Sequence, residues 1–207
     1  VFLIAHFYND IKKQKSLVKY GLIEEPNYSK KIYVIGNYAT IEGLKNEIKK
    51  PEFGIVDAQI ISNINNGLKS TNPVEQQEAQ KKFDKLMRKI EKHIQFINFQ
   101  ALFNRCFPTL KINNLMQRTD TLISAFKRGT LEYKEEVFES MRDSIIIIDE
   151  FQRMYTTQYG INTYGFVIGA IMKFSNKYNI KFVFLSGTMM NTSPCELAYL
   201  NSILNEK

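Results

Sequence analysis

The chain has 207 residues, 44% of them hydrophobic and 24% charged, enough for one large α/β domain or two small ones. It carries a net charge of +7, most of it in the first hundred residues, where 16 basic side chains face 11 acidic ones; such a surplus attracts polyanions, of which nucleic acid is the commonest. No apolar run approaches the roughly 20 residues that span a bilayer, so no membrane partner is expected, and two cysteines (Cys106, Cys195) and two histidines without ligand spacing point away from a disulfide framework and a metal centre and toward an intracellular compartment.

In chain order, the recurrence of Leu3, Phe7, Ile11 and Val18 predicts a helix over 3–20, stopped by Gly21 and followed by a polar loop, 24–30, that contains Pro26. The chain opens inside this element and without an initiator methionine, so an N-terminal truncation is expected. Residues 31–36 form a short apolar run bounded by a turn signal and predict a strand. Thr40 is expected to cap a helix reaching about Lys50, with Ile41, Leu44 and Ile48 on one face and Pro51 at its end. Residues 54–71 mix apolar pieces with Asn and Gly and predict no definite element.

Asn72, Pro73 and Glu75 together make a helix start of the capping-box kind, for a helix running to about His93 with Ala79, Phe83, Leu86, Met87 and Ile90 inward. Its other face carries Lys81, Lys82, Lys85, Lys89 and Lys92, a solvated face or the lining of a nucleic-acid path. The span 57–92 reads as a mostly helical insertion. A strand over 94–98 and a short helix over 99–106 follow, then polar helical segments over 111–141 broken at Gly129 and Thr130.

Residues 144–149 are a continuous apolar run ending in Asp149 and Glu150, the pattern of a parallel strand covered on both faces. An amphipathic helix over 163–178, with Val167, Ala170, Ile171, Phe174 and Tyr178 on one stripe, leads to a second apolar run, 181–185, which ends in Ser186, Gly187 and Thr188. Strand, helix and strand within about 40 residues predict a βαβ unit with two neighbouring parallel strands. In an open parallel sheet, ligands bind beyond the carboxyl ends of the strands, and both polar clusters sit at such ends. There Asp149 can hold a hydrated Mg²⁺, Glu150 can orient and deprotonate a water, and Gln152 can sense a terminal phosphate or link the strand ends. Ser186 and Thr188 suit a hydrogen-bond relay. His6 and His93 read as surface or packing residues, Tyr155, Tyr159 and Tyr164 as loop packing or base-stacking side chains, and Cys195 as inert.

These residues carry a resemblance to a known family. Ile-Ile-Ile-Ile-Asp-Glu-Phe-Gln (145–152) resembles motif II, the Walker B motif, of superfamily 2 helicases. Residues 185–197 are similar to motif III of the Swi/Snf-like branch, with Asn191, Glu196 and Leu197 in register. Residues 96–103 resemble the stretch before motif II in early transcription factor ATPase and nucleoside triphosphate phosphohydrolase subunits of large cytoplasmic DNA viruses. Residues 31–37 would occupy the motif Ia strand. The resemblance implies a parallel β-sheet sandwiched by helices, an incomplete RecA-like P-loop NTPase core, over residues 1–207.

It further implies ATP and Mg²⁺ as cofactors, bound by Asp149 and Glu150, with catalytic roles for Glu150, Gln152, Ser186 and Thr188 and metal binding through water by Asp149. The implied partners are nucleic acid, DNA in preference to RNA, and the transcription machinery, in host cytoplasm or virion. Two residues depart from the pattern: Met189 stands where the family has Pro, and Gln152 where many relatives have His. No Gly-x-x-x-x-Gly-Lys-Ser/Thr loop occurs among the 207 residues, so the phosphate loop is expected upstream of Val1 and the second motor domain, with its arginine finger, beyond Lys207. A second reading is a non-catalytic nucleic-acid-binding or scaffold module with a motor-like fold. A third, the motor subunit of a restriction enzyme, shares motif II but not the Asn191, Glu196, Leu197 tail.

Overall fold

A computed structural model describes residues 1–22, 31–108, 121–122, 124–125, 128–130, 132–154 and 163–187. Four strands form one parallel sheet flanked by helices, in the order β2-β1-β3-β4. They are β1 (Lys31–Gly36), β2 (Ile94–Asn98), β3 (Ser144–Ile148) and β4 (Lys181–Phe184). The first three match the predicted runs. Such runs are too short for helices, and at β1 and β3 they are apolar without alternation because successive side chains point to opposite, equally covered faces. Ile32–Gly36 and Ser144–Ile148 are buried throughout. No helix among the described residues is long and apolar enough to cross a membrane.

By contact density the chain divides into one unit of residues 1–34 and 38–96 and a second of residues 35–37 and 97–207. The first unit opens with helix α1 (Phe2–Lys19), which ends in a Schellman turn. Gly21 takes φ 69°, its amide donates to the Val18 carbonyl at 3.0 Å, and the Leu22 amide donates to the Leu17 carbonyl at 2.9 Å. The buried stripe is Ile4, Ala5, Tyr8 and Ile11, one position round from the predicted Leu3 and Phe7, which with Val18 are only half-buried. Helix α2 (Tyr38–Glu47) begins two residues before Thr40, so Thr40 lies in its first turn and is not its cap, and the helix stops short of Lys50. Ile41 and Ile48 are buried as expected.

Helix α3 (Ala58–Leu68) occupies the stretch for which the sequence predicts nothing. Asp57 caps it, accepting from the amides of Gln59 at 2.9 Å and Ile60 at 3.1 Å, and Ile61 and Ile64 are buried. Its partner is helix α4 (Pro73–Glu91), capped by Asn72, whose side chain accepts from the Val74 amide at 3.0 Å. Glu75 does not close the box directly. The Asn72 amide donates to Ser70 Oγ at 3.1 Å, and Ser70 in turn donates to Glu75 at 2.5 Å. The helix ends at Glu91, before the predicted His93, where the His93 carbonyl accepts from the Ile32 amide of β1 at 2.7 Å. The two helices approach closely at Gly67, where a Cβ would lie 2.7 Å from that of Ala79. The span 57–92 is thus a helical hairpin.

In the second unit, helix α5 (Phe99–Cys106) follows β2 directly, capped by Asn98, which accepts from the Ala101 amide at 2.7 Å. It packs against helix α6 (Glu135–Glu139) and helix α7 (Thr163–Lys173). The predicted single helix over 163–178 is two: α7 ends at Lys173, and a short helix α8 (Ser175–Tyr178) follows Phe174. An aromatic cluster holds these pieces together, with Phe138 stacked on Phe174 at 4.9 Å and Tyr133 edge-on to Phe174 at 6.0 Å. Ile168 and Ile171 are fully buried on α7. Gly129 takes φ 67° at the predicted break; residues 111–120 of the 111–141 prediction, with the 24–30 loop, lie outside the described residues.

Candidate functional site

The site is built on the β3–α7–α8–β4 unit, where register decides what meets what. At the amino ends of the strands, Asp143 and Asn179 both adopt left-handed backbone, with φ of 54° and 51°. The Asn179 side-chain amide donates to the Asp143 carboxylate at 3.0 Å, and the Asp143 amide donates to the Tyr178 carbonyl at 2.9 Å. Asn and Asp tolerate this conformation better than other side chains. The two turns therefore clamp the strand starts together, and the parallel register runs Ile145 to Lys181, Ile146 to Phe182, Ile147 to Val183 and Ile148 to Phe184.

Four residues on, the carboxyl ends of β3 and β4 lie level. The Leu185 amide donates to the Ile148 carbonyl at 2.8 Å, and the Phe151 amide donates to the Leu185 carbonyl at 3.2 Å. On the other side of β3, the Asp149 amide donates to the Ile35 carbonyl at 3.1 Å, which brings the end of β1, with Gly36 and Asn37, to the same edge. This third strand end carries none of the residues that the sequence marks for the site; its signal is an apolar run that breaks at Gly36-Asn37.

Asp149 and Glu150 are half-buried at this edge. Asp149 Oδ1 accepts from the Glu150 amide at 3.0 Å, leaving Oδ2 without a partner among the described residues. Glu150 has φ 55°, left-handed backbone on a side chain with no special tolerance for it, at a cost of about 1–2 kcal/mol. This twist carries the chain off the strand into a 3-10 turn, Phe151–Met154, whose first residue is 3% exposed and packs its ring against Phe184 at 5.3 Å.

Gln152 is 3% exposed and turns back so that its Nε2 donates to Glu150 Oε2. A carboxylate only accepts, so the amide nitrogen must face it and the oxygen must point away. That oxygen, Oε1, is buried and has no hydrogen-bond partner among the described residues. An orphaned buried acceptor costs about 1–3 kcal/mol, which offsets what the bond to Glu150 contributes.

Ser186 is half-buried one residue beyond Leu185, whose backbone pairs with Ile148 and Phe151 on either side of the carboxylate pair. Thr188 lies outside the described residues, as do Asn191, Glu196, Leu197, Tyr155, Tyr159 and Cys195, and the Tyr164 side chain is likewise outside them. Among the described residues, no group of three or more His, Cys, Asp or Glu side chains is arranged to hold a metal. His6 is exposed beside Asp10 at 3.3 Å, and His93 packs edge-on to the Tyr8 ring at 6.0 Å. Cys106 is buried, with its thiol pushed up to about 12 by desolvation, and is not a nucleophile. Comparison with family models, curated proteins and solved structures returned no match to this chain.

Proposed function

We propose that this chain carries the water- and magnesium-handling part of a nucleoside triphosphate hydrolysis site, in the first, RecA-like domain of a nucleic-acid-dependent ATPase. The observation that carries the reading is the Asp149–Glu150 pair at the carboxyl end of a fully buried parallel strand, with Gln152 donating to Glu150 from a buried position. Two adjacent carboxylates in different settings suit two roles. Asp149 has one oxygen tied to the chain and one without a partner among the described residues. Glu150 is aimed by a strained backbone and by Gln152, and strain of this kind concentrates at functional sites.

ATP and Mg²⁺ fit this edge in part. Asp149 suits a cation held through water, because Mg²⁺ keeps several waters and needs only one or two carboxylates beside the phosphate oxygens. Bound metal would supply neutralisation of charge developing on the phosphoryl oxygens. Glu150 would accept the proton of the attacking water, Gln152 would hold that carboxylate in place, and Ser186, with Thr188, would relay the state of the site to the neighbouring strand. A phosphate-gripping loop is not among these 207 residues, and its backbone amides and lysine are what hold a triphosphate. DNA is favoured over RNA as the partner, in transcription, on the resemblance alone.

The test is Glu150→Gln in a form of the protein that includes a phosphate-binding loop. ATP turnover should fall at least a hundredfold while nucleotide still binds; retained turnover would remove Glu150 from the base role. The scaffold reading is favoured by the missing phosphate loop in the sequence as it stands. It predicts no ATP turnover in any such form.

A further inference from the structure

Helix α4 (Pro73–Glu91) and the residue that caps it, Lys92, carry six cations: Lys81, Lys82, Lys85, Arg88, Lys89 and Lys92. At 100° per residue, all six fall within an arc of about 120°. The buried or half-buried Ala79, Phe83, Leu86, Met87 and Ile90 lie on the opposite side, where α3 packs. All six cations are exposed, and among the described residues none takes part in an ion pair. The acids nearest them are Glu78, Asp84 and Glu91. Glu78 stands on the arc one turn before Lys81, while Asp84 and Glu91 lie about 40° and 60° outside it, Asp84 accepting from Gln80 at 2.8 Å.

The row continues onto α1, where Lys12, Lys15 and Lys19 repeat at helical spacing. Lys15 Nζ lies 3.3 Å from His93 Nε2, next to the end of the α4 row. From Lys81 to Lys92 the arc holds no aromatic or aliphatic side chain. That disfavours a protein partner, whose binding needs apolar or aromatic anchors, and a membrane, which needs an apolar face to insert. What remains is a linear polyanion. The row spans about 16 Å at 1.5 Å per residue, the axial rise over which one strand of a DNA duplex presents about five phosphates.

We infer that the exposed face of α4, extended by Lys15, is a docking surface for the phosphate backbone of a nucleic-acid duplex. It names the surface by which the proposed motor would hold its partner, and it stands on the first unit alone, independent of the carboxylate site.

The test uses this chain without nucleotide and follows fluorescence anisotropy of a labelled 20-base-pair DNA duplex across a salt series. One variant carries Lys81→Gln, Lys85→Gln, Lys89→Gln and Lys92→Gln, which keep helix propensity. A control of equal charge carries Lys13→Gln, Lys50→Gln, Lys69→Gln and Lys181→Gln. Affinity of the α4 variant should fall at least tenfold at low salt, and the slope of log K against log salt should shrink by about 3 to 4. The control should stay within threefold of the parent chain. Equal losses in both variants would reduce the effect to net charge and overturn the docking surface, as would absence of duplex binding by the parent chain at 50 mM salt. Polyglutamate competing as well as duplex at equal charge concentration would overturn it in favour of an acidic protein. Because no nucleotide is present, failure here leaves the hydrolysis reading standing, and failure of Glu150→Gln leaves this one standing.

Discussion

Replacing Gln152 by Met separates folding from function at the candidate site. Gln152 is 3% exposed, donates one hydrogen bond to Glu150 and buries an oxygen that accepts none among the described residues. Methionine keeps the length and volume of the side chain without polar atoms. The bond to a carboxylate is worth about 1.5–3 kcal/mol, but removing an unpaired buried carbonyl returns about 1–3 kcal/mol. Glu150 is half-buried, so water replaces part of what its carboxylate loses. The terms cancel to within about 1 kcal/mol, a shift in Tm of no more than about 2–4 °C for a chain of this size. Urea denaturation of this chain, parent against Gln152→Met, measures it. In a form that turns over ATP, the same variant should lose about 10- to 100-fold in kcat, because Glu150 loses the hydrogen bond that aims it. As a contrast, Gln152→Glu sets a second carboxylate against the first in a buried position and should destabilise by at least ~3 kcal/mol at neutral pH. A loss above about 3 kcal/mol for Gln152→Met would refute the reasoning, since it would show that the buried oxygen has a partner and that the side chain is there for stability.

Two further predictions test the surroundings. Gly67→Ala should destabilise by about 1–2 kcal/mol, because the new Cβ meets Ala79 Cβ at 2.7 Å and overpacking outweighs the roughly 1 kcal/mol gain in helix propensity; Ala79→Gly in the same chain should recover part of the loss, and a urea midpoint that rises for Gly67→Ala alone would contradict the close crossing. Glu135 accepts from Lys177 at 2.5 Å and from the Tyr178 hydroxyl at 2.7 Å, and these hydrogen bonds hold its carboxyl below the ordinary value. A depressed carboxyl contributes stability above its unfolded pKa that disappears as pH falls through the folded one. Glu135→Gln should therefore melt lower than the parent at pH 7, with the two melting curves converging toward pH 3. A gap that persists unchanged at pH 3 would assign the effect to packing.

The strands were legible in the sequence because their signal is local. Ile32–Gly36 and Ser144–Ile148 are apolar runs of five, too short for helices and ended by Asn37 and Asp149. The starts of α4 and α5 follow from Asn72 and Asn98, whose side chains cap the amides beyond them. Helix α3 was not legible, because Asn63, Asn65, Asn66 and Gly67 have weak helix propensity and the helix gains its stability by burying Ile61 and Ile64 in the pairing with α4. The predicted helix over 163–178 failed for a related reason. Periodicity continues through Phe174, but the chain breaks there, and Phe174 packs among Tyr133, Phe138 and Tyr178.

At the candidate site the division is sharper. Sequence alone determined that Asp149 and Glu150 end one apolar run and that Ser186 follows a second, since residue order and apolar pattern are local properties. Only the tertiary structure decided that the two ends lie level, because that depends on the left-handed turns at Asp143 and Asn179 and the bonds between them. It also decided that β1 ends at the same edge, that Glu150 leaves its strand with φ 55°, and that Gln152 turns inward to reach it. No run of residue types encodes these features. Each is a compromise among strand pairing, ring packing at Phe151 and Phe184, and an acceptor left unpaired, and such a balance exists only once the strands are side by side.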